Sequence, residues 1–170
     1  GFELFVNSDF SIGSGLGGSA SVVAAILGCF NEVRFSAWTN FEIAEMAFQA
    51  ERIHLGIAGG WQDQYASVFG GFNFIEFSKN ENIINPIRVQ GDVLTELEEC
   101  LVLCDTGQVH NSGDIHDSQK TAMSSDAVSK LVGANVNLSY EMRNHLLRGE
   151  LDKFGKCLDR GWQLKRKFSE

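Results

Sequence analysis

The chain has 170 residues and 44% hydrophobic content, enough to bury a core, and its size is that of one ordinary domain or of a piece of something larger. Its 14 Lys+Arg against 22 Asp+Glu leave a formal charge of −8, without the basic stripe that a nucleic-acid binder needs. No apolar run reaches the length of a membrane span, Gly1-Phe2-Glu3-Leu4 lacks the features of a signal peptide, and four cysteines without a CxxC pair read as free thiols of a reducing cytoplasm.

In chain order, Phe2, Leu4 and Val6 alternate with Glu3, Phe5 and Asn7, the pattern of a short strand. A polar, glycine-rich stretch follows at 8–18. Residues 19–31 are apolar nearly all round (Val22, Val23, Ile26, Leu27, Phe30), which predicts a helix buried in the middle of a domain. Thr39-Asn40-Phe41-Glu42 fits a capping box, opening a second helix that ends near Gly56. Residues 72–77 and 83–89 read as strands. The run CLVLCD at 100–105 reads as a third, central strand that carries Cys100 and Cys104 into the core. From about Asp114 the pattern is helical, with Leu147, Leu151, Phe154, Leu158 and Trp162 as an apolar stripe. The mixture is α/β or α+β, with helices gathered toward the C-terminal half.

Eighteen glycines stand against a single proline, Pro86, and they cluster: four at 13–18 and five at 56–71. The first cluster, DFSIGSGLGGSAS at 9–21, feeds a helix N-terminus. Unpaired backbone N–H groups and the positive end of the helix dipole make such a place an anion site, most often for phosphate; the alternative is a flexible link between strand and helix. A Walker A loop needs a lysine, and none is present. Gly13, Gly15 and Gly18 satisfy GxGxxG, but the polar run Asn7-Ser8-Asp9 precedes them and the acid-ended second strand of a dinucleotide fold is missing.

On the second helix, Glu42, Glu45, Gln49 and Arg52 define a solvated face, with Ala44, Ala47, Phe48 and Glu51 opposite. Glu51 is therefore expected to point inward near a helix C-terminus, where burial and dipole both disfavour a carboxylate. It needs a partner, either a structural Arg/Lys or a bound cation. Asp63 lies in GGWQDQY at 59–65 and is either a turn or cap aspartate or a general base in a cleft wall. Asp105-Thr106-Gly107 is a single copy where an aspartic protease needs two. His110, Asp114, His116 and Asp117 match no zinc spacing and read as capping and solvent contacts.

The hexapeptide GLGGSA at 15–20 resembles the second motif of the GHMP kinases, P-x-G-x-G-L-G-S-S-A, with Ser11 in place of the proline and Gly18 in place of the first paired serine. GGWQDQYASVFGGFNFIEF, Pro86 and LVLCDTG are similar to the D-glycero-D-manno-heptose 7-phosphate kinase branch, and the likeness runs from about Asp9 to Lys167. His110 stands where related sequences tend to carry arginine. The resemblance implies part of a ribosomal-protein-S5-like, ATP-binding domain over 1–90, leading into part of a helical and strand C-terminal domain over 91–170. It further implies that Gly13, Ser14, Gly15, Leu16, Gly17, Gly18 and Ser19 hold the ATP phosphates and that Ser19 and Glu51 hold Mg²⁺. Asp63 would then take the proton from the anomeric hydroxyl of a sugar or sugar phosphate. Family members carry further motifs before and after this stretch, so the chain reads as the middle of such a kinase. The alternative from another class is a non-catalytic copy that binds nucleotide or sugar, or forms a homodimer through exposed edges.

Overall fold

A computed structural model of the chain describes residues 1–9, 13–79, 81–104, 107 and 126–167. Ser11, His110, the Asp105-Thr106 pair and the polar residues Asp114, His116 and Asp117 lie outside the described residues, as does the start of the helical region expected from Asp114. Contacts divide the chain into two units, one holding Gly1–Gly71 and the other Phe72–Cys104 with the C-terminal helices. The elements are a mixture of α and β, as the sequence implies.

The first unit packs three helices, α1 (Gly18–Glu32), α2 (Asn40–Phe48) and α3 (Gln62–Phe69), with α2 running on into a π-helical segment at Gln49–His54. Ala20, Ala44 and Ala47 are essentially fully buried, and such small side chains let helix backbones approach closely. Tyr65 fills the centre, its hydroxyl donating to Glu45 Oε1 at 2.6 Å and its ring edge-on to Phe41. Trp61 stacks on Phe48 with ring centroids 3.5 Å apart. The expected capping box is present: Thr39 N–H donates to Glu42 Oε2 at 2.7 Å and Glu42 N–H to Thr39 Oγ1 at 3.3 Å. The backbone bond from Thr39 holds the exposed Glu42 carboxyl below its usual range.

Two expectations fail in this unit. In α1 only Ala20 is buried, because α2 and α3 cover one side of it while the other borders an open cavity along the N-terminal residues. Residues 2–6 form no strand, since among the described residues no strand lies beside them to complete a ladder. Phe2 packs edge-on against Phe30 instead, at 5.2 Å, while Phe5 stays exposed.

In the second unit β1 (Asn73–Phe77) and β2 (Asn82–Pro86) pair antiparallel, with Ile75 opposite Ile84. β2 ends at Pro86, short of the expected Val89, because proline has no N–H to extend a ladder. Helix α4 (Gly91–Cys100) was not expected and takes in the start of the CLVLCD run. The remainder, Leu101, Val102, Leu103 and Cys104, is irregular and exposed rather than a central strand, and Cys100 is exposed as well. A short apolar run reads alike for a buried strand and a helix end, and the two-stranded sheet offers it no place.

The last two helices, α5 (Asp126–Leu147) and α6 (Leu151–Arg166), form a hairpin around Leu138, Leu146 and Cys157. The expected stripe is corrected here. Leu147 ends α5, and on α6 the packed positions are Leu151, Phe154, Cys157, Gly161 and Leu164, leaving Leu158 and Trp162 exposed. Gly161 lies at the crossing, where even a Cβ would make only ordinary contact, 3.6 Å from Leu138 Cδ2. Across the same unit, the Tyr140 hydroxyl donates to Glu76 on β1 at 2.7 Å, and the Arg143 guanidinium sits over Phe74. Among the described residues no helix is long and apolar enough to cross a membrane.

Candidate functional site

The glycine loop has a specific backbone form. Gly13, Gly15 and Gly17 take φ of 78°, 76° and 71°, while no non-glycine residue among those described has positive φ, so Ser14 and Leu16 alternate in sign with them. Alternation of this kind turns successive N–H groups toward one side, making a concave anion cradle, and L side chains resist the left-handed positions. Gly17 is the N-cap of α1, no side chain caps that end, and no acid lies in its first turn. The first-turn N–H groups are thus left open to an anion. Ser21 donates to the Gly17 carbonyl at 3.1 Å and meets Ser67 Oγ at 3.2 Å, which ties the base of the loop to α3. Beside the loop, a cavity of about 320 Å³ is apolar along Leu4, Val6, Val22 and Ile26 and polar at Asn7, Ser8 and Asp9.

Glu51 points inward as its periodicity requires and is 1% exposed. Ser19 Oγ donates to its Oε1 at 2.5 Å, and Gln64 Nε2 donates to its Oε2 at 2.5 Å. Both donors are neutral. Among the described residues no Lys, Arg or His pairs with Glu51; the ion pairs are those of Glu150 and Glu141. Of the two partners that a buried acid could have had, the structural base is not found among the described residues. A buried carboxylate with hydrogen bonds but no counter-charge is costly, and a cation removes that cost.

The π-helical segment carries Glu51, and the crossing that follows is fixed by Arg52. Leu55 N–H donates to Ala50 O and Ile57 N–H to Glu51 O, each at 3.0 Å, which widens the helix where the acid sits. Arg52, placed by periodicity on the solvated face, folds back instead. It donates to the carbonyls of Ile57 at 3.4 Å, Ala58 at 3.3 Å and Gly60 at 3.3 Å. A Cβ on Gly59 would lie 2.6 Å from Arg52 Cζ, so a larger residue there has to displace the guanidinium, and the φ of 158° favours glycine as well. The crossing delivers Asp63 into the first turn of α3, a helix rather than a turn, where a carboxylate complements the dipole. Asp63 is half-buried and is not a partner in the Ser19–Glu51–Gln64 hydrogen bonds.

Mg²⁺ takes hard oxygen ligands and commonly keeps waters, with one or two carboxylates and substrate phosphates completing its shell. The Glu51 carboxylate and the exposed Ser19 hydroxyl, next to an N–H-lined loop, fit that chemistry. Among the described residues no three His, Cys, Asp or Glu side chains converge elsewhere on a metal site.

Residues 1–71 match the family model for the GHMP kinases N terminal domain. This stretch is a GHMP kinase N-terminal domain. Over 170 residues the chain is 36% identical to a D-glycero-alpha-D-manno-heptose 7-phosphate kinase from Campylobacter jejuni, covering 99% of this chain and 50% of that protein. It is 27% identical to an L-fucokinase/L-fucose-1-P guanylyltransferase from Bacteroides fragilis, over 96% of this chain and 18% of that protein. In three dimensions it is similar, with a TM-score of 0.70 and 31% identity, to a D-glycero-D-manno-heptose 1-phosphate kinase from Bacteriodes thetaiotaomicron, over 94% of this chain and 46% of that one. The chain thus spans half or less of the length of these relatives. Within this GHMP kinase domain, sequence reasoning missed Gln64, whose amide is buried against Glu51, and Arg52 as the clamp of the 57–60 crossing. For Arg52 a signal existed, since a glycine pair seven and eight residues after an arginine leaves room for a side chain to fold back.

Proposed function

We propose that this chain carries the phosphate loop, the metal-binding pair and the base of an ATP-dependent sugar kinase. The reaction is transfer of the γ-phosphate to the anomeric hydroxyl of a sugar or sugar phosphate, such as D-glycero-D-manno-heptose 7-phosphate. The observation that carries this reading is Glu51, a buried carboxylate held by two neutral donors, one of which lies on the glycine loop. A loop that binds triphosphate brings with its ligand the cation that Glu51 lacks.

In this reading the N–H groups of Gly13, Ser14, Gly15, Leu16, Gly17, Gly18 and Ser19 wrap the phosphates, and the cavity beside α1 takes the nucleoside. Ser19 and Glu51 hold Mg²⁺, which when bound neutralises charge on the transferring phosphoryl group. Asp63 accepts the proton of the sugar hydroxyl as its oxygen bonds to the γ-phosphorus and the bond from phosphorus to the β,γ-bridging oxygen breaks, releasing ADP. The names of the relatives support heptose or fucose as substrate class. A ribosomal-protein-S5-like ATP-binding domain over 1–90, part of a C-terminal domain over 91–170 and a cytoplasmic setting belong to the same proposal.

Calorimetric titration of Mg·ATP into the chain, repeated with EDTA and with Glu51→Gln, tests it. Saturable binding that needs Mg²⁺ and weakens in the variant is the expected result. Absence of binding by a demonstrably folded chain rejects the nucleotide site for this segment.

A further inference from the structure

The kinase reading gives no part to one buried polar side chain. Gln64 is 0% exposed, its Nε2 donates to Glu51 Oε2 at 2.5 Å, and its Oε1 is buried without a partner among the described residues. A carboxylate only accepts hydrogen bonds, so the amide is obliged to turn its NH₂ toward Glu51 and leave its oxygen unmet. Leaving a buried acceptor unmet is unfavourable, and an apolar residue of the same shape would avoid it. Packing alone therefore does not explain an amide at this position; the donor it offers Glu51 does.

The two hydrogen bonds to Glu51 differ in kind. Ser19 is exposed, and its hydroxyl can turn toward a ligand at the loop, releasing Oε1. Gln64 is enclosed on α3 and keeps Oε2. Adjacent residues on a helix point about 100° apart, so Asp63 and Gln64 let one turn of α3 carry a half-buried acid and a fully enclosed carboxylate holder. We infer that Gln64 is a positioning residue. Its amide fixes the Glu51 carboxylate so that Oε1 faces Ser19 and the loop, ready for a divalent cation, and couples that orientation to the helix that bears Asp63. The inference rests on the kinase reading above.

A Mg²⁺ titration of ATP binding by calorimetry, on wild-type chain and on Gln64→Met and Gln64→Asn, is the test. Methionine keeps the volume without a donor, and asparagine keeps an amide one methylene short; the second also serves if the first fails to fold. Each is expected to raise the Mg²⁺ concentration for half-maximal effect about 10–100-fold, the usual result of removing a group that orients a metal ligand. ATP binding at saturating Mg²⁺ stays near the wild-type level. In a Glu51→Gln background, Gln64→Met then changes the Mg²⁺ dependence no further, because the group that it orients is gone. A residue with only a structural role would instead weaken ATP binding even at saturating Mg²⁺, with the Mg²⁺ midpoint unchanged. An unchanged Mg²⁺ midpoint in both variants overturns the inference and leaves the kinase reading standing, whereas wild-type chain that binds ATP without regard to Mg²⁺ overturns both.

Discussion

Glu51 and Glu150 each accept two side-chain hydrogen bonds, from opposite kinds of donor. Glu150, at the turn between α5 and α6, meets Lys153 Nζ at 2.7 Å and His145 Nδ1 at 2.6 Å, with its side chain 29% exposed. The Lys153 bond first and the His145 bond second pull its carboxyl down to about 2. Glu51 is enclosed and meets only a hydroxyl and an amide. The acid that water could already stabilise has two basic partners, while the acid that needs a positive charge has none among the described residues. Charge pairing at Glu150 follows from local turn geometry on a helical hairpin and contributes little. At Glu51 the missing counter-charge leaves room for one supplied by a ligand.

The contrast can be broken experimentally, because changes around Glu51 should alter function more than stability and changes at Glu150 the reverse. Asp63→Asn is expected to lower sugar-kinase turnover by about 10²–10⁴-fold, the usual size of a general-base effect, with the thermal midpoint and ATP affinity nearly kept. Unchanged turnover removes Asp63 from the chemistry. Gly59→Ala drives a Cβ into the Arg52 guanidinium and should cost about 1–3 kcal/mol in urea unfolding, as overpacking does. That cost should shrink in an Arg52→Ala background, and equal costs in both backgrounds would show that the clamp is not the cause.

Glu51→Gln should stabilise the ligand-free chain by about 1 kcal/mol, since it removes a buried charge, and its new amide N–H can donate to Ser19 Oγ or to a flipped Gln64 Oε1 while its oxygen still accepts from the other neighbour. A drop in thermal midpoint would mean that a counter-charge is already in place. The smallest effect is expected at Glu150. Its folded value of about 2 lies below the ordinary 4.5, so its contribution is present above pH 4.5 and is lost as the pH falls toward 2. Melting curves should therefore show a slight deficit for Glu150→Gln at pH 7 that closes over that window, with Mg·ATP binding unaffected. A deficit that persists at pH 2 has another origin.

What could be read in advance was what local chemistry decides. The capping box at Thr39 needs only four residues, and the inward turn of Glu51 needs only the 3.6 period of α2, which survives the change to π geometry. Residues 2–6 and 101–104 were misread because a strand exists only with a neighbour, and neighbours are not local. On α6, spacings of three and four admit two adjacent faces. The weakly hydrophobic Cys157 is buried in the hairpin and Gly161 lies against Leu138, so Leu158 and Trp162 point away. Arg52 was assigned from where its stem leaves the helix, yet its head reaches back over the chain. Gln64 was illegible for the same reason as its function is specific: the burial of an amide depends on which carboxylate the fold brings to it.

The guanidinium over Gly59 also couples the changes that this chain can accept at two positions over generations. With Arg52 in place a side chain at 59 has to displace the guanidinium, whereas prior loss of Arg52 removes that clash at the expense of three carbonyl contacts. The backbone φ of 158° at Gly59 disfavours a larger residue in either background. Tolerance at 59 thus depends in part, and only in part, on what stands at 52.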